Sequence, residues 1–145
     1  MTQTDGSLLR AIAVNQPPFA NLIGLRVTAA APDRIEAELD ATESLSNRAG
    51  AMHGGAIMAM ADNLGGLATT LNLTKDFTTT TIESKTNFLR PVPVGQKVYA
   101  VCLPLHRGRT TMVWQTTVAR ADGKVAAIVT QTQIVLQARK PESAM

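Results

Sequence analysis

The sequence predicts an α+β protein in which one antiparallel β-sheet wraps around a single long α-helix. Its 145 residues are the length of one ordinary domain, and 45% of them are hydrophobic, which is enough for a core. Residues 54–73 form one long apolar stretch with helical periodicity. After it, residues 78–137 read as strands joined by short turns, which connect antiparallel neighbours. We therefore expect one domain over residues 1–145.

An N-terminal helical segment, residues 1–20, precedes the sheet. Residues 5–15 place apolar side chains at helical spacing, and the Pro17-Pro18 pair ends this helix. Residues 22–31 and 34–40 then alternate apolar and polar side chains, as strands with one wet face do. A Pro-Asp turn joins these two strands into a hairpin.

The long helix follows a loop over residues 41–53. A helix this apolar is expected to be buried, and the charge on Asp62 argues against a membrane span. Because it follows the second strand, the helix must cover one face of the sheet. The outer face then needs another partner, which predicts a homo-oligomer. Apolar residues recur in this helix at spacings of three and four: Met58, Ala61, Leu64, Ala68 and Leu71.

Four strands are predicted after the helix. Prolines and a glycine break the chain after the first of them, and Asp122-Gly123 is a strong hairpin turn before the last. Residues 139–145 read as a loose tail. The four strands cover residues 78–89, 96–106, 110–120 and 125–137.

Charge and composition exclude several classes of partner. The net charge is +3 without a run of Lys or Arg, and aromatic residues are only 3%, so a nucleic-acid surface is not expected. The first residues lack the basic and apolar regions of a signal peptide. The single cysteine, Cys102, excludes a disulfide within the chain and reads as a core residue. We therefore expect a cytoplasmic protein without a membrane partner.

Asp62 is the sharpest chemical signal, because it is the only charged residue between residues 54 and 74. An isolated carboxylate is costly to bury in an apolar helix, so Asp62 either faces a cleft or is held by a specific partner. In a cleft it could act as a general base on water or as a nucleophile on a thioester. The alternative is a surface aspartate at the edge of the core.

The sequence His53-Gly54-Gly55 stands where the loop becomes the long helix. The free N–H groups and the dipole of a helix N-terminus favour negative charge, and glycines allow close approach, so this is a candidate oxyanion hole. His53 is a candidate general base, although a role in fixing the loop is favoured. Asn47, earlier in the loop, could hold a thioester oxygen or the carboxylate. Taken alone, tight packing at Gly54-Gly55 and ordinary turn chemistry at Asn47 explain these residues as well.

The spacing along the long helix suggests a site shared between subunits. Gly55 and Asp62 are seven residues apart, so they lie on one helix face roughly 10 Å apart. That distance is too long for both to touch one carbonyl within the same chain. Gly54 of one subunit and Asp62 of another could meet instead.

Three arginines at strand ends are candidates for binding the nucleotide end of coenzyme A: Arg90, Arg107 and Arg109. The guanidinium group binds phosphate well, whereas solvated loop charge is the alternative. His106, beside Arg107, reads as a surface strand residue.

These residues together resemble a known family. Asn47, His53-Gly54-Gly55 and Asp62 are similar to the N-(x)5-HGG-(x)6-D pattern of the PaaI-like hotdog thioesterases. Thr81, ten residues before Pro91, and the segment Asn87–Gly95 are similar to its strand-end signature. The resemblance extends from about Asn21 to Leu136.

The resemblance implies a hotdog fold and hydrolysis of acyl-CoA thioesters to a free acid and coenzyme A. It implies that Asp62 supplies the nucleophile or general base, that the Gly54 N–H polarises the thioester carbonyl, and that Asn47 orients the reactants. It assigns to Thr81 a role in assisting the carboxylate or water, with the register open by one residue because Thr78–Thr81 is a run of threonines. It further implies a site at a dimer interface, dimers paired into tetramers, and no metal or redox cofactor.

Two other functions fit the same residues. The first is an enoyl-thioester hydratase or dehydratase, but here the histidine precedes Gly-Gly and the acid follows nine residues later, which favours hydrolysis. The second is a non-catalytic acyl-CoA-binding module, which would not need Asp62. The acyl group itself is left open between aryl and medium aliphatic chains.

Overall fold

The computed structural model describes residues 5–140 and confirms an α+β architecture with an antiparallel sheet. In chain order the elements are α1 (Gly6–Val14), α2 (Pro18–Ile23), β1 (Arg26–Ala31), β2 (Arg34–Asp40), a 3-10 turn (Glu43–Leu45), α3 (Gly54–Thr70), β3 (Phe77–Phe88), β4 (Lys97–Arg107), β5 (Thr111–Arg120) and β6 (Val125–Gln137).

The sheet has six strands in the order β1-β2-β4-β5-β6-β3, and each neighbouring pair is antiparallel. The helix α3 packs against β2, β4, β5, β6 and β3, so the sheet wraps around it as the sequence predicts. β1 and β3 are the two edges of the sheet. The strand β3 therefore carries one row of backbone groups that no other strand of the described chain pairs with.

The core lies between α3 and the inner face of the sheet. Trp114 on β5 is fully buried, and its indole N–H donates to Thr69 Oγ1 of α3 at 2.9 Å. Gly65 lets the helix approach the sheet closely, because a side-chain carbon there would collide with the amide of Gln131 on β6. Cys102 is buried in β4, as predicted.

The structure corrects the prediction near the N-terminus. The predicted strand over residues 22–31 begins only at Arg26, because residues up to Ile23 belong to the short helix α2. Pro18 starts that helix, where its fixed φ and missing N–H are tolerated, and Gly24 ends it with φ 81°. The Pro17-Pro18 pair therefore ends one helix and begins the next.

Smaller differences concern the helix end and the tail. The helix α3 ends at Thr70 rather than residue 73, and Asn72 caps it by donating to the Ala68 carbonyl at 2.8 Å and to the Pro32 carbonyl at 2.7 Å. Of the predicted tail, residues 139 and 140 have no regular structure, and residues 141–145 lie outside the described chain. Between residues 5 and 140, no helix has the length and apolar character to cross a membrane.

Candidate active site

Asp62 lies in the middle of α3, where its side chain lines a cavity of about 610 Å³. The Thr81 hydroxyl of β3 donates to Asp62 Oδ1 at 2.7 Å. Among residues 5–140, Asp62 Oδ2 takes part in no hydrogen bond. The exposed carboxylate is therefore held through one oxygen, and the other is left without a partner among the described residues.

The threonine run before Thr81 has an unambiguous register in the structure. Thr81 bonds to Asp62, whereas Thr79 bonds to Gln133 Oε1 at 3.0 Å and to the Ile134 carbonyl at 2.9 Å. A β-bulge between Thr81 and Glu83 shifts the register of β3 against β6, so the alternation of side chains between the two faces of the sheet starts again after it. The threonine whose hydroxyl bonds to Asp62 is thus Thr81.

Two buried glutamines on β6 were missed by the sequence analysis. Gln131 and Gln133 are each only 1% exposed, and both face α3 at the level of Asp62. Gln133 Nε2 donates to Thr81 Oγ1 at 2.6 Å, and Gln131 Nε2 lies 3.4 Å from the Asp62 main-chain carbonyl. Their burial could have been inferred from their spacing, because residues two apart in a strand share a face. Gln131 and Gln133 therefore lie on the same face of β6 as the buried Val129.

The cavity beside Asp62 is bordered on one side by the N-terminal segment. The helix α1 and the residues leading into β1 form one wall, and α3 forms another. Gln16 supports this wall, because its Nε2 donates to the Leu25 carbonyl at 3.0 Å. The apolar part of the lining comes from Ile12, Leu25, Val27, Leu64, Leu67 and Leu71.

The N-terminus of α3 is built by His53. Its Nδ1 accepts the Gly55 N–H at 2.8 Å, so the imidazole caps the helix. This contact matches the favoured role of His53 in fixing the loop. It also occupies the Gly55 N–H, whereas the Gly54 N–H has no acceptor among the described residues. Gly54 is therefore the glycine whose N–H is available to a ligand.

Asn47 shapes the loop that leads to this helix. Its Oδ1 accepts the N–H groups of Ala49 at 2.9 Å and Ala51 at 3.1 Å, which is the turn chemistry named as its alternative role. Asn47 also lines a second cavity, of about 440 Å³, together with Gly54, Phe88 and Arg90.

The candidate residues thus fall into two groups within one chain. Asp62 and Thr81 line the first cavity, whereas Asn47 and Gly54 line the second, and the two cavities share no lining residue. Gly54 and Asp62 are eight residues apart on α3, which corresponds to about 12 Å. One thioester carbonyl does not reach both groups in a single chain.

The three arginines are not brought together in the chain. Arg90 stands near the N-terminus of α3, where its Nη1 donates to the Val125 carbonyl at 2.7 Å. Arg107 stands at the other end of α3, with its Nη1 3.4 Å from Asn72 Oδ1. Arg109 lies exposed in the turn between β4 and β5, and His106 is an exposed residue of β4.

Comparison with known proteins gives a family match over the central part of the chain. A model of the thioesterase superfamily matches residues 49–127, which include Gly54, Asp62 and Thr81. A crystal structure of the thioesterase HI1161 from Haemophilus influenzae is 27% identical, covers 99% of this chain and 97% of its own, and superposes with a TM-score of 0.83.

Two further structures extend the comparison. Smu.793 from Streptococcus mutans, solved with acetyl-CoA bound, is 25% identical, covers 81% of this chain and 92% of its own, and has a TM-score of 0.73. The PaaI protein of Escherichia coli is 17% identical, covers 91% of this chain and 94% of its own, and has a TM-score of 0.81, which shows a common fold. The resemblance to PaaI-like hotdog thioesterases is confirmed by these matches.

Proposed function

The chain belongs to the thioesterase superfamily, and from this premise we propose that it hydrolyses acyl-CoA thioesters to a free acid and coenzyme A. The observation that carries the proposal is the Asp62 carboxylate, which is held by Thr81 and turned into a cavity from an otherwise apolar helix. Acetyl-CoA bound to the Streptococcus mutans relative supports a coenzyme A ester as the substrate class.

The reaction is proposed to occur between two copies of the chain. Gly54, which is proposed to polarise the carbonyl, and Asp62, which is proposed to react with it, lie in separate cavities of one chain. They are about 12 Å apart along α3. A second copy that pairs along the open edge of β3 would bring Gly54 of one chain to Asp62 of the other. Ile82, 57% exposed on this edge, supports such pairing because an apolar side chain gains by being covered.

A tetramer is proposed to form through the outer face of the sheet. Tyr99 and Leu103 of β4 alternate with buried residues and are both more than 40% exposed on that face. A face with large apolar side chains is a suitable surface for a second dimer.

In the proposed mechanism the carbonyl oxygen of the thioester accepts the free N–H of Gly54 at the positive end of α3. This stabilises the negative charge that develops on that oxygen. The free Oδ2 of Asp62 then either attacks the carbonyl carbon or removes a proton from an attacking water. In the first route an acyl-aspartyl anhydride forms as the carbon–sulfur bond breaks and coenzyme A leaves as a thiolate, and water then hydrolyses the anhydride to the free acid and regenerates the Asp62 carboxylate. In the second route the tetrahedral intermediate breaks directly to the acid and the thiolate of coenzyme A, which takes up the proton that Asp62 removed from water.

The two routes are separated by a single turnover in water labelled with oxygen-18, at enzyme in excess over substrate. A nucleophilic Asp62 incorporates the label into its own carboxylate when the anhydride is hydrolysed at the aspartyl carbon. If water attacks the acyl carbon of the anhydride, the anhydride is detected instead by trapping with hydroxylamine, read as a hydroxamate on Asp62 itself, because free thioesters also give acyl hydroxamates directly. A general base gives neither a label nor a hydroxamate on Asp62.

The acyl group is proposed to occupy the first cavity, whose volume of about 610 Å³ is in the usual range for small-ligand pockets. Its leucines and Val27 suit an aryl or medium aliphatic group. The phosphates of coenzyme A are proposed to bind near Arg90, which lies beside Gly54. Arg107 and Arg109 would reach the same site only from a neighbouring copy. The proposed reaction uses water and no metal or redox cofactor, and we place it in the cytoplasm, where coenzyme A esters occur.

The test is release of free thiol from a panel of acyl-CoA esters, followed with a chromogenic thiol reagent, for the wild-type protein and Asp62→Asn. This substitution keeps the size of the side chain and its bond from Thr81 but removes the charge. We expect thiol release by the wild-type protein and a loss of at least about a hundredfold in kcat for the variant, which remains folded. Equal activity of the two proteins would refute the role of Asp62.

The same panel separates the other functions. Loss of the enoyl absorbance of a trans-2-enoyl-CoA without thiol release would indicate hydration. Binding of acyl-CoA esters without any turnover would indicate a non-catalytic binding module.

A further inference from the structure

The buried amide of Gln133 stands directly behind the Thr81–Asp62 contact, and we propose that Gln133 is a positioning residue for the reacting carboxylate. Gln133 donates to Thr81 and thereby directs the single hydroxyl proton of Thr81 to Asp62 Oδ1, which leaves Oδ2 free to react. This inference rests on the proposed function, because it assigns a role within that same site.

The three side chains form a continuous line from the sheet to the helix. Gln133 on β6 is paired directly opposite Thr81 on β3, and its Nε2 lies 2.6 Å from Thr81 Oγ1. Thr81 Oγ1 in turn lies 2.7 Å from Asp62 Oδ1. Both hydrogen bonds are short, and Gln133 is only 1% exposed where it borders the first cavity.

The direction of these bonds follows from counting protons. A hydroxyl has one proton to donate and can accept from another donor. Asp62 Oδ1, when ionised, is an acceptor only. If Gln133 turned its oxygen toward Thr81, two acceptors would face one hydroxyl proton, and one of them would be left without a partner. With Nε2 toward Thr81, the amide donates, the hydroxyl accepts, and its proton goes to the carboxylate.

The opposite end of the amide does not reverse this choice. Thr79 Oγ1 lies 3.0 Å from Gln133 Oε1 and 2.9 Å from the Ile134 carbonyl, so its hydroxyl is satisfied in either orientation of the amide. Those bonds join neutral groups, whereas the bond from Thr81 goes to a charged carboxylate. Hydrogen bonds to charged groups are about twice as strong, so the Thr81 end determines the orientation of Gln133.

Gln131 provides a matched control on the same strand. It is as buried as Gln133 and faces the same turn of α3, but its Nε2 approaches the main-chain carbonyl of Asp62 rather than the Thr81 hydroxyl. Replacing either glutamine by methionine keeps the length of the side chain and removes its polar atoms. The two substitutions therefore remove a similar buried amide, but only one of them removes the bond to Thr81.

The first experiment is a double-mutant cycle on thiol release. Gln133→Met should lower kcat about tenfold and change KM less than threefold, because it removes the bond that holds Thr81 and the carboxylate while a side chain of similar length still lines the cavity. In a Thr81→Val background, where the bond to Asp62 is already absent, Gln133→Met should have no further effect on kcat. Gln131→Met should reduce activity by the same factor in both backgrounds. An equal effect of Gln133→Met in both backgrounds would overturn the proposal.

Thermal denaturation shows whether Gln133→Met is folded. If it is not, a second variant, Gln133→Glu, tests the same bond. Gln133→Glu keeps the size and polarity of the side chain but, when ionised, competes with Asp62 for the Thr81 proton. Gln133→Glu should lower kcat by a larger factor than Thr81→Val does. A buried glutamate that keeps its proton can donate to Thr81 as the amide does, so kcat is followed from about pH 6 to 9. Wild-type activity of Gln133→Glu at the alkaline end of this range would overturn the proposal.

The second experiment needs no substrate. The side-chain amide protons of Gln133 are observed by NMR in the wild-type protein, Thr81→Val and Asp62→Asn. We expect slow exchange with solvent in the wild-type protein, a large shift in Thr81→Val and a smaller shift in Asp62→Asn. Unchanged signals in Thr81→Val would overturn the proposal. A wild-type protein that releases no thiol would instead refute the proposed function, and this experiment would then decide on the hydrogen-bond chain alone.

Discussion

The bond between the Trp114 indole and the Thr69 hydroxyl allows a quantitative prediction about stability. Both side chains are fully buried, at 0% exposure, and the indole N–H donates to Thr69 Oγ1 at 2.9 Å. Thr69→Val keeps the shape of the side chain and removes this acceptor. A buried donor left without a partner costs about 1–3 kcal/mol, so we expect a loss of about 2 kcal/mol in the free energy of unfolding.

For a domain of this size, that loss corresponds to a fall in Tm of about 7 °C. The assay is thermal and urea unfolding followed by tryptophan fluorescence, which reports on this contact because Trp114 is the only tryptophan in the chain. The matched control is Thr70→Val. Each of the two threonines donates to the carbonyl four residues earlier, Thr69 to Gly65 at 2.8 Å and Thr70 to Gly66 at 2.9 Å. Thr70 is exposed, so its replacement should change stability by less than about 0.5 kcal/mol.

Equal stability of Thr69→Val and Thr70→Val would contradict this prediction, because it would mean that the indole N–H finds another acceptor at no cost. Both variants must unfold in one transition at the same protein concentration for the comparison to hold, since assembly also shifts Tm.

Three further predictions follow from single contacts. Gly54→Ala should fold, because the added carbon lies 2.9 Å from the Phe88 ring and can displace that exposed side chain. The variant should lower kcat/KM at least about tenfold, because the methyl group blocks approach to the N–H of residue 54. Unchanged kinetics would contradict this prediction. Burial raises the pKa of the Cys102 thiol to about 11, so the folded protein at pH 8 should not react with a thiol reagent, whereas the unfolded protein should show one thiol by titration. The hydrogen bond from Arg120, with a backbone N–H, lowers the pKa of Asp122 from 3.8 to about 2 in the folded state. Its contribution to stability is therefore present above about pH 4 and lost as pH falls toward 2, so urea unfolding of the wild-type protein and Asp122→Asn should differ at pH 6 and converge near pH 2.

The main elements of the fold were predictable because each has a strong local pattern. The apolar period of α3, the alternation in β2 and the Asp122-Gly123 turn all depend on residues close together in the chain. The short helix α2 does not stand out in the sequence, because the Pro17-Pro18 pair indicates the end of a helix, whereas proline is equally suited to a first helical turn. Local pattern alone does not distinguish these two uses of proline.

The residue types of the candidate site were also predictable, but not which of them meet. Asp62 and the Gly54 region stand out from their neighbours in the sequence. By contrast, Gln133 meets Thr81 across 52 residues, at a place where a bulge shifts the register of β3. A pairing of that kind depends on how two strands align, and no pattern within either strand encodes it.

The wall that α1 contributes to the cavity beside Asp62 has a consequence for how this protein can vary. Ile12 and its neighbours in α1 line the cavity, yet they lie outside the segment 49–127 that the superfamily model matches. Substitutions in α1 can therefore change the volume offered to a substrate while α3, β3 and β6 keep the carboxylate in place. If the proposed function holds, part of the substrate's surroundings is set by a stretch of chain separate from α3, so exchanging α1 and the residues up to Leu25 between relatives should alter the substrate range while Asp62 keeps its place.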